Sequence, residues 1–305
     1  MQGMKKLLLL AVLLISLVAC QQSTTERQQV TKAQREKLRQ ENAEALKIAV
    51  MPTLDCLPLY VAQELRLFDT LHVDVRLKPF TAQMDADTAI VGGSVEGIMS
   101  DLVRMERLKR KGLKLDYLTA TNLQWQLISN KTARLKQLNQ LGDKMVAMTR
   151  FSGTDYLTDE SLKGVKTKSR VYKVQINDVH VRLHMLLNNE MDAMWLTEPQ
   201  ATTARLYHHQ VMTESEKTGT RLGVLAFRTD SIKGKQRTAQ LKAFGRAYNM
   251  AVDSINKHGI QHFSSLICSY CNTDQRTVNA LPKLKFNHLS KPDPKDIEKA
   301  QRYVK

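Results

Sequence analysis

From Leu46 to Arg228 short apolar runs alternate with segments whose apolar residues recur at helical spacing, and the alternation starts afresh near residue 144. Strand, helix, strand in sequence is the signature of a largely parallel sheet covered by helices. Lys47–Met51 reads as a buried strand and Pro52–Cys56 as a loop. Leu57–Phe68 carries Leu57, Tyr60, Val61, Leu65 and Phe68 on a helical period. A strand is predicted at Val73–Leu77, a helix at Asp85–Val91 closed by Gly92-Gly93, and a strand at Glu96–Ser100 that reaches Asp101. A helix then runs to Lys111, with Gly112 as its stop, and a strand covers Leu115–Thr121. In the second unit strands are predicted at Lys144–Met148, Tyr172–Ile176 and Met194–Leu196, and helices at Thr154–Leu162 and Val179–Asn188. Glu198-Pro199 starts a further helix, Gly223–Arg228 is a strand able to cross back, and Lys235 onward is helical. Two such units imply two lobes and a cleft. Ligands of open parallel sheets bind at the carboxyl ends of strands, which draws attention to loops 52–58, 92–96, 121–125, 150–155, 177–178 and 195–199.

The N-terminus decides where such a fold would work. Lys5 and Lys6 precede a nearly unbroken apolar run, Leu7–Val18. That run is shorter than the roughly 20 residues a spanning helix needs, and its flanks fit a signal peptide. It ends in Leu17-Val18-Ala19-Cys20, which resembles a bacterial lipobox. The alternative is an ordinary secretory signal with a chance cysteine. Acyl chains on Cys20 would hold the protein to a membrane without a spanning helix. Residues 21–45 contain no Gly and no Pro and read as a polar spacer.

Residues beyond 20 number 285, enough for two lobes with real cores. Loss of Lys5 and Lys6 takes the formal charge from +16 to +14. Basic residues such as Arg104, Arg107, Lys109, Arg110 and Lys111 are not interleaved with stacking aromatics, so nucleic acid is excluded as a partner and solvated helix faces are expected. Besides Cys20, the cysteines are Cys56, Cys268 and Cys271, too few for a disulfide scaffold. Cys268-Ser-Tyr-Cys271 has redox spacing but closes a helical stretch instead of opening one, so a local disulfide or two buried thiols is expected. No zinc-finger spacing occurs. His208-His209 is expected at the surface. His180 and His184 lie at i and i+4, with His184 expected to be partly buried and His180 exposed. No metal site and no cofactor is expected.

Three stretches carry a family resemblance. LKIAVMPTLDCLPLYVAQELRLF is similar to the opening of periplasmic solute-binding proteins of the aliphatic-sulfonate, nitrate and thiamine-precursor type. ADTAIVGGSVEGIMSDLV resembles their segment in which a helix ends in Gly and a strand carries an acidic residue to the cleft. NNEMDAMWLTEPQATTAR resembles the second-lobe strand that leads into Glu-Pro and a helix. The resemblance spans roughly residues 46–305. It implies an α/β, two-lobed periplasmic binding protein fold of type II, with parallel-type sheets flanked by helices and a ligand cleft between the lobes. It further implies a first lobe of 46–122 plus 230–305 and a second of 123–229. The expected partners are a small-molecule ligand, an ABC permease in the inner membrane, and a bilayer reached through acylated Cys20.

Candidate ligand-binding residues follow from the loops. Asp55 either accepts a hydrogen bond from a ligand or caps the helix near Leu57. Thr53 and Tyr60 share its loop and first turn. Gly92, Gly93 and Ser94 permit close backbone approach, although a helix C-cap followed by a turn is the expected role of Gly92. Asp101 stands at a strand end. Asn122 and Trp125 fall near the crossover between lobes, where the indole either stacks on a planar solute or belongs to the core. Ser152, Gly153 and Thr154 combine small hydroxyls with free N–H groups before a helix, which suits an anion or polar head group, or is a plain N-cap. Asn177, Trp195 and Glu198 complete the set, with Glu198 before Pro199 equally explained as a cap. No nucleophile elbow, P-loop or HExxH occurs, so catalysis is not expected. The function expected is solute capture for an ABC importer. The alternatives are an enzyme on the same fold acting on a pyrimidine-type or cofactor precursor, and a ligand-sensing lipoprotein for a membrane regulator. Acids, hydroxyls and tryptophans in the loops favour a planar, partly polar or cationic molecule over a small bare anion.

Overall fold

The computed structural model describes residues 32, 34–37 and 39–304. Cys20 and the signal-peptide reading around it lie outside the described residues. The chain divides into two units, Met1–Ala45 and Leu46–Lys305. In the first, residues 39–44 are helical and exposed. Among the described residues no helix is long and apolar enough to cross a membrane.

The second unit holds ten strands: β1 (Leu46–Val50), β2 (Val75–Pro79), β3 (Gly97–Asp101), β4 (Leu115–Ala120), β5 (Gln126–Ser129), β6 (Met145–Met148), β7 (Tyr172–Gln175), β8 (Ala193–Leu196), β9 (Gln210–Glu214) and β10 (Gly223–Arg228). They form two sheets of five, ordered β2-β1-β3-β10-β4 and β7-β6-β8-β5-β9. The sheets are mixed, where a largely parallel arrangement was expected. β1 pairs parallel with β2 and β3, but β10 runs antiparallel to both β3 and β4. β6 pairs parallel with β7 and β8, but β5 runs antiparallel to both β8 and β9. The antiparallel strand is the crossing one in each case: β5 follows directly from the first sheet and β10 returns to it.

That return moves a boundary. β10 falls inside the 123–229 span expected for the second lobe, yet its hydrogen bonds lie between β3 and β4 of the first sheet. The two crossing segments run side by side. Thr121 N donates to Gly223 O (2.9 Å), Trp125 N to Ser215 Oγ (3.0 Å), and Ser215 N to Trp125 O (2.8 Å). A Cβ on Gly223 would stand 2.3 Å from Thr121 Oγ1 and 2.5 Å from Leu123 Cβ, so only glycine allows this approach.

Strands β5 and β9 go beyond the sequence expectation. β5 offers only Leu127 and Ile128 between polar ends, and β9 is a half-exposed edge strand, so neither shows a full alternating period. The expected helix Leu57–Phe68 is two pieces, Leu57–Glu64 and Leu67–Thr70, separated by Arg66 in the left-handed region (φ 51°). The break leaves Leu65 45 % exposed and buries Phe68 against Phe244, with ring centroids 5.8 Å apart. Phe244, Ala247, Tyr248, Ala251, Val252 and Ile255 recur every three or four residues on helix Lys235–His258, and all are buried. This stripe packs on helix Leu57–Glu64 and covers one face of the first sheet. Helix Pro294–Tyr303 packs on helix Leu102–Arg110. In β8 the pleat sends Trp195 into one cluster with Leu127 and Met148, and Met194 and Leu196 into another with Ile128 and Leu186.

Candidate functional site

The parallel strands of both sheets end on a shared cavity of about 50 Å³. Its lining follows the topology. Met51, Thr53 and Asp55 come after β1, Gln83 after β2, and Ser100 and Asp101 close β3. Thr149, Ser152 and Thr154 come after β6, Asn177, Val179 and Arg182 after β7, and Thr197 after β8. Leu123 and Trp125 enter from the crossing segment. This is the crevice outside the carboxyl ends of strands, where open α/β sheets bind ligands.

The rims of the two lobes touch. Gly153 N donates to Asp101 Oδ1 (2.9 Å), Leu54 N to Glu198 O (3.0 Å), Val179 N to Thr81 O (3.1 Å) and Gln200 Nε2 to Pro52 O (2.9 Å). These contacts bridge the two lobes beside the cavity.

Ser152 caps helix Gly153–Leu162 by accepting from Thr154 N (3.1 Å) and donates to Thr149 O (2.6 Å). The loop was read as an anion site. Here the anion at its helix N-terminus is Asp101, which also caps helix Leu102–Arg110 through Arg104 N (2.9 Å). One carboxylate thus joins two helix N-termini, one from each lobe. Asp55 accepts from Thr53 Oγ1 (2.6 Å) and Thr121 Oγ1 (3.4 Å). Burial pushes the carboxyls of both Asp55 and Asp101 up to about 6.

Arg182, absent from the sequence candidates, is the cavity's cation. It is 5 % exposed. Nε donates to Ile176 O (2.7 Å), Nη1 to Trp195 O (3.2 Å), and Nη2 to Thr149 Oγ1. All three acceptors are neutral. Burial, reinforced by the Arg104 guanidinium, pulls its pKa down to about 10. A signal for it exists in the sequence: Val179, Arg182, Leu183 and Leu186 fall on one face of helix Val179–Leu187, so Arg182 interrupts an apolar stripe. Gln83, Thr149 and Thr197 were likewise unmarked.

Of the expected residues, Thr53, Asp55, Asp101, Trp125, Ser152, Thr154 and Asn177 line the cavity, with Gly153 directly behind them. The others lie elsewhere. Gly93 and Ser94 are exposed at the end of helix Gln83–Gly92, where the chain enters β3 at its amino end, opposite the cavity. Tyr60 is buried below it, its hydroxyl donating to Met51 O (2.5 Å) and its ring stacked on Tyr270 at 4.2 Å. Asn122 donates to Lys285 O. Trp195 is fully buried, with Nε1 donating to Thr158 Oγ1 (2.9 Å). Glu198 pairs with Arg205 (2.8 Å) and accepts from Thr202 N (2.9 Å).

The histidine expectations change. His180 is half-buried and His184 exposed, the reverse of the expected order, because the turn beginning at Asp178 packs against the other lobe. His209 is buried, its Nδ1 accepting from Lys131 N (3.2 Å). Among the described residues no group of three or more His, Cys, Asp or Glu is arranged to hold a metal. Cys56, Cys268 and Cys271 are free thiols. Burial raises the pKa of each, which keeps them protonated and poor nucleophiles.

The raised carboxyls make a prediction about pH. Between the ordinary carboxylate value near 4 and about 6, folded Asp55 and Asp101 bind protons that the unfolded chain has released. Stability from these groups is therefore present below about pH 4 and lost as pH rises through 6. His180 and His209, both lowered by burial, act in the opposite sense. Asp55→Asn isolates the carboxyl. It is expected to stabilise the ligand-free protein by about 2 kcal/mol at pH 7.5 and by about a third as much at pH 4.5. Urea titrations at the two pH values measure this, and an equal effect at both would refute the assignment.

Two five-stranded mixed sheets, joined by two crossing segments and closing on a cavity at their strand ends, define a two-lobed periplasmic binding protein fold of type II. The NMT1/THI5 like family model matches residues 53–259, and the chain belongs to that family. Solved structures with the same fold include the ligand-binding component of an ABC-type import system from Staphylococcus aureus, solved with zinc bound. It is 14% identical at a TM-score of 0.71, over 86% of this chain and 91% of that one. The periplasmic aliphatic sulphonate binding protein SsuA from Escherichia coli is 14% identical at a TM-score of 0.67, over 86% and 85%. The alkanesulfonate-binding protein SsuA from Xanthomonas axonopodis pv. citri, bound to MOPS, is 14% identical at 0.69, over 86% and 91%. No curated protein matches the sequence.

Proposed function

We propose that this chain is the solute-binding lipoprotein of an ABC-type import system. It is exported, anchored through Cys20, and delivers a small polar molecule to a membrane permease. One observation carries the reading. Loops from the carboxyl ends of strands in both lobes converge on a cavity whose charged groups include a buried guanidinium that, among the described residues, is ion-paired with no carboxylate. Membership of the NMT1/THI5 like family supports it, as do the transport roles of the proteins that share the fold. The ligand set is Thr53, Asp55, Asp101, Trp125, Ser152, Thr154 and Asn177, joined by Arg182, Gln83, Thr149 and Thr197. Lobe one is 46–122 plus the return from β10 onward, and lobe two lies between. Among the described residues the titratable groups lining the cavity are Asp55, Asp101 and Arg182, which suits holding a solute rather than turning it over.

Closure about the crossing segments would bring the Asp101–Gly153 and Leu54–Glu198 contacts together over the solute. Solution scattering on the mature protein, with and without a metabolite pool, is expected to show compaction with one bound molecule per chain. No compaction with any fraction of that pool would refute the reading. Prolonged incubation that converts the bound molecule would instead favour an enzyme.

A further inference from the structure

The polar groups of the cavity say more about the solute than its size does. Arg182 is held by two backbone carbonyls and one hydroxyl, and among the described residues no carboxylate lies within ion-pair distance of it. A buried guanidinium without a counter-ion is costly, and an arriving anion relieves that cost. Asp55 and Asp101 are each 4 % exposed and neither forms an ion pair. Asp55 accepts from the hydroxyls of Thr53 and Thr121. Asp101 spends Oδ1 on the N–H groups of Arg104 and Gly153, and among the described residues Oδ2 has no donor. The Arg104 guanidinium acts on Asp101 from nearby but is itself paired with Asp87, and Asp178 acts on Arg182 without an ion-pair contact. Arg182 enters the cavity from the second sheet, after β7, and Asp55 and Asp101 enter from the first, after β1 and at the end of β3.

An anion alone would satisfy Arg182 and leave the carboxyls without an ion-paired counter-charge. A cation alone would do the reverse. We propose that the captured solute is a compact zwitterion, whose acidic group binds Arg182 beside Thr149 and whose protonated nitrogen faces Asp101 and Asp55. This rests on the solute-binding reading. The narrow cavity of about 50 Å³ suits a small molecule whose charges are set apart by a short chain. The expectation of a planar or cationic solute is narrowed: the cationic part is retained and an acidic part is added.

The test uses the mature protein, titrated calorimetrically at pH 7.5 with glycine, 3-aminopropanoate, 4-aminobutanoate and 5-aminopentanoate. Each is paired with the matched acid lacking the amine and the matched amine lacking the acid. In parallel, protein incubated with a yeast-extract metabolite pool is re-isolated and its bound molecule identified by native mass spectrometry. The pool is expected to yield a molecule carrying both an acid and a basic nitrogen. The best zwitterion should bind about a hundredfold tighter than either of its halves. Asp101→Asn, which keeps an acceptor for Arg104 and Gly153, should weaken the zwitterion about tenfold while the matched acid binds no more weakly than to the wild type. Arg182→Lys should weaken both. A captured molecule lacking either group, or a half-molecule that binds as tightly as its zwitterion, overturns the inference while solute binding stands. Capture of nothing from the pool, with no binding in the series, overturns both.

Discussion

Replacement of Arg182 by methionine is expected to abolish solute capture, with affinity falling by about 30- to 1000-fold, the equivalent of roughly 2–4 kcal/mol. The guanidinium reaches the cavity from the first turn of helix Val179–Leu187 and is fixed there by three bonds, to Ile176 O, Trp195 O and Thr149 Oγ1. Methionine fills similar space but supplies no donor. The three acceptors are then left in a dry environment, each at a cost of about 1–3 kcal/mol, partly offset by removal of a buried charge. A net loss of stability of about 2 kcal/mol should accompany the loss of binding. The two effects separate in Arg182→Lys, which keeps the charge as a point donor without the planar fork. Calorimetry on the molecule captured by the wild type reads the first effect, and urea unfolding reads the second. Unchanged affinity in the methionine variant would remove Arg182 from the site.

Trp195→Ala is expected to cost about 3–5 kcal/mol of folding stability. That is a large share of the 5–15 kcal/mol typical of a domain. Trp195 lies on the short central strand β8 and has no exposed surface. Its indole packs in a cluster with Leu127, Val146, Met148, Tyr156 and Leu157, and its Nε1 donates to Thr158 (2.9 Å). Truncation opens a cavity in the middle of the second sheet and strands that hydroxyl's acceptor capacity. Trp195→Phe keeps most of the volume and should cost clearly less. The effect should also reach the site, because the Trp195 carbonyl is one of the three acceptors that hold Arg182. Equilibrium unfolding in urea measures both variants, and a cost below about 1 kcal/mol for alanine would contradict this packing.

Most of the architecture was legible because strand and helix periods are local. Apolar runs such as Leu46–Val50 and the stripe on helix Lys235–His258 are written in neighbouring residues. β5 and β9 escaped because a four-residue strand and an edge strand owe their pairing to partners far along the chain: β5 bonds β8 and β9 64–88 residues away. The cavity lining was legible where it lies in loops after strands, as at Thr53, Asp55, Asp101 and Ser152. Expectation failed at Gly93 and Ser94, whose loop leads into a strand instead of leaving one. It failed at Trp195 because an aromatic on a strand is written identically whether it faces a solute or the core.

The alternation by itself determined that this chain builds α/β units whose strands end in ligand-sized loops, since backbone geometry and apolar period are fixed over a few residues. Tertiary structure alone decided that the alternation closes as two mixed sheets, with β10 carried back into the first and β5 reversed in the second. It also turned Arg182, a cation that would ordinarily face solvent, inward onto the cavity. Those outcomes depend on which distant surfaces bury each other. A charge on a helix becomes a binding group only when another lobe covers it.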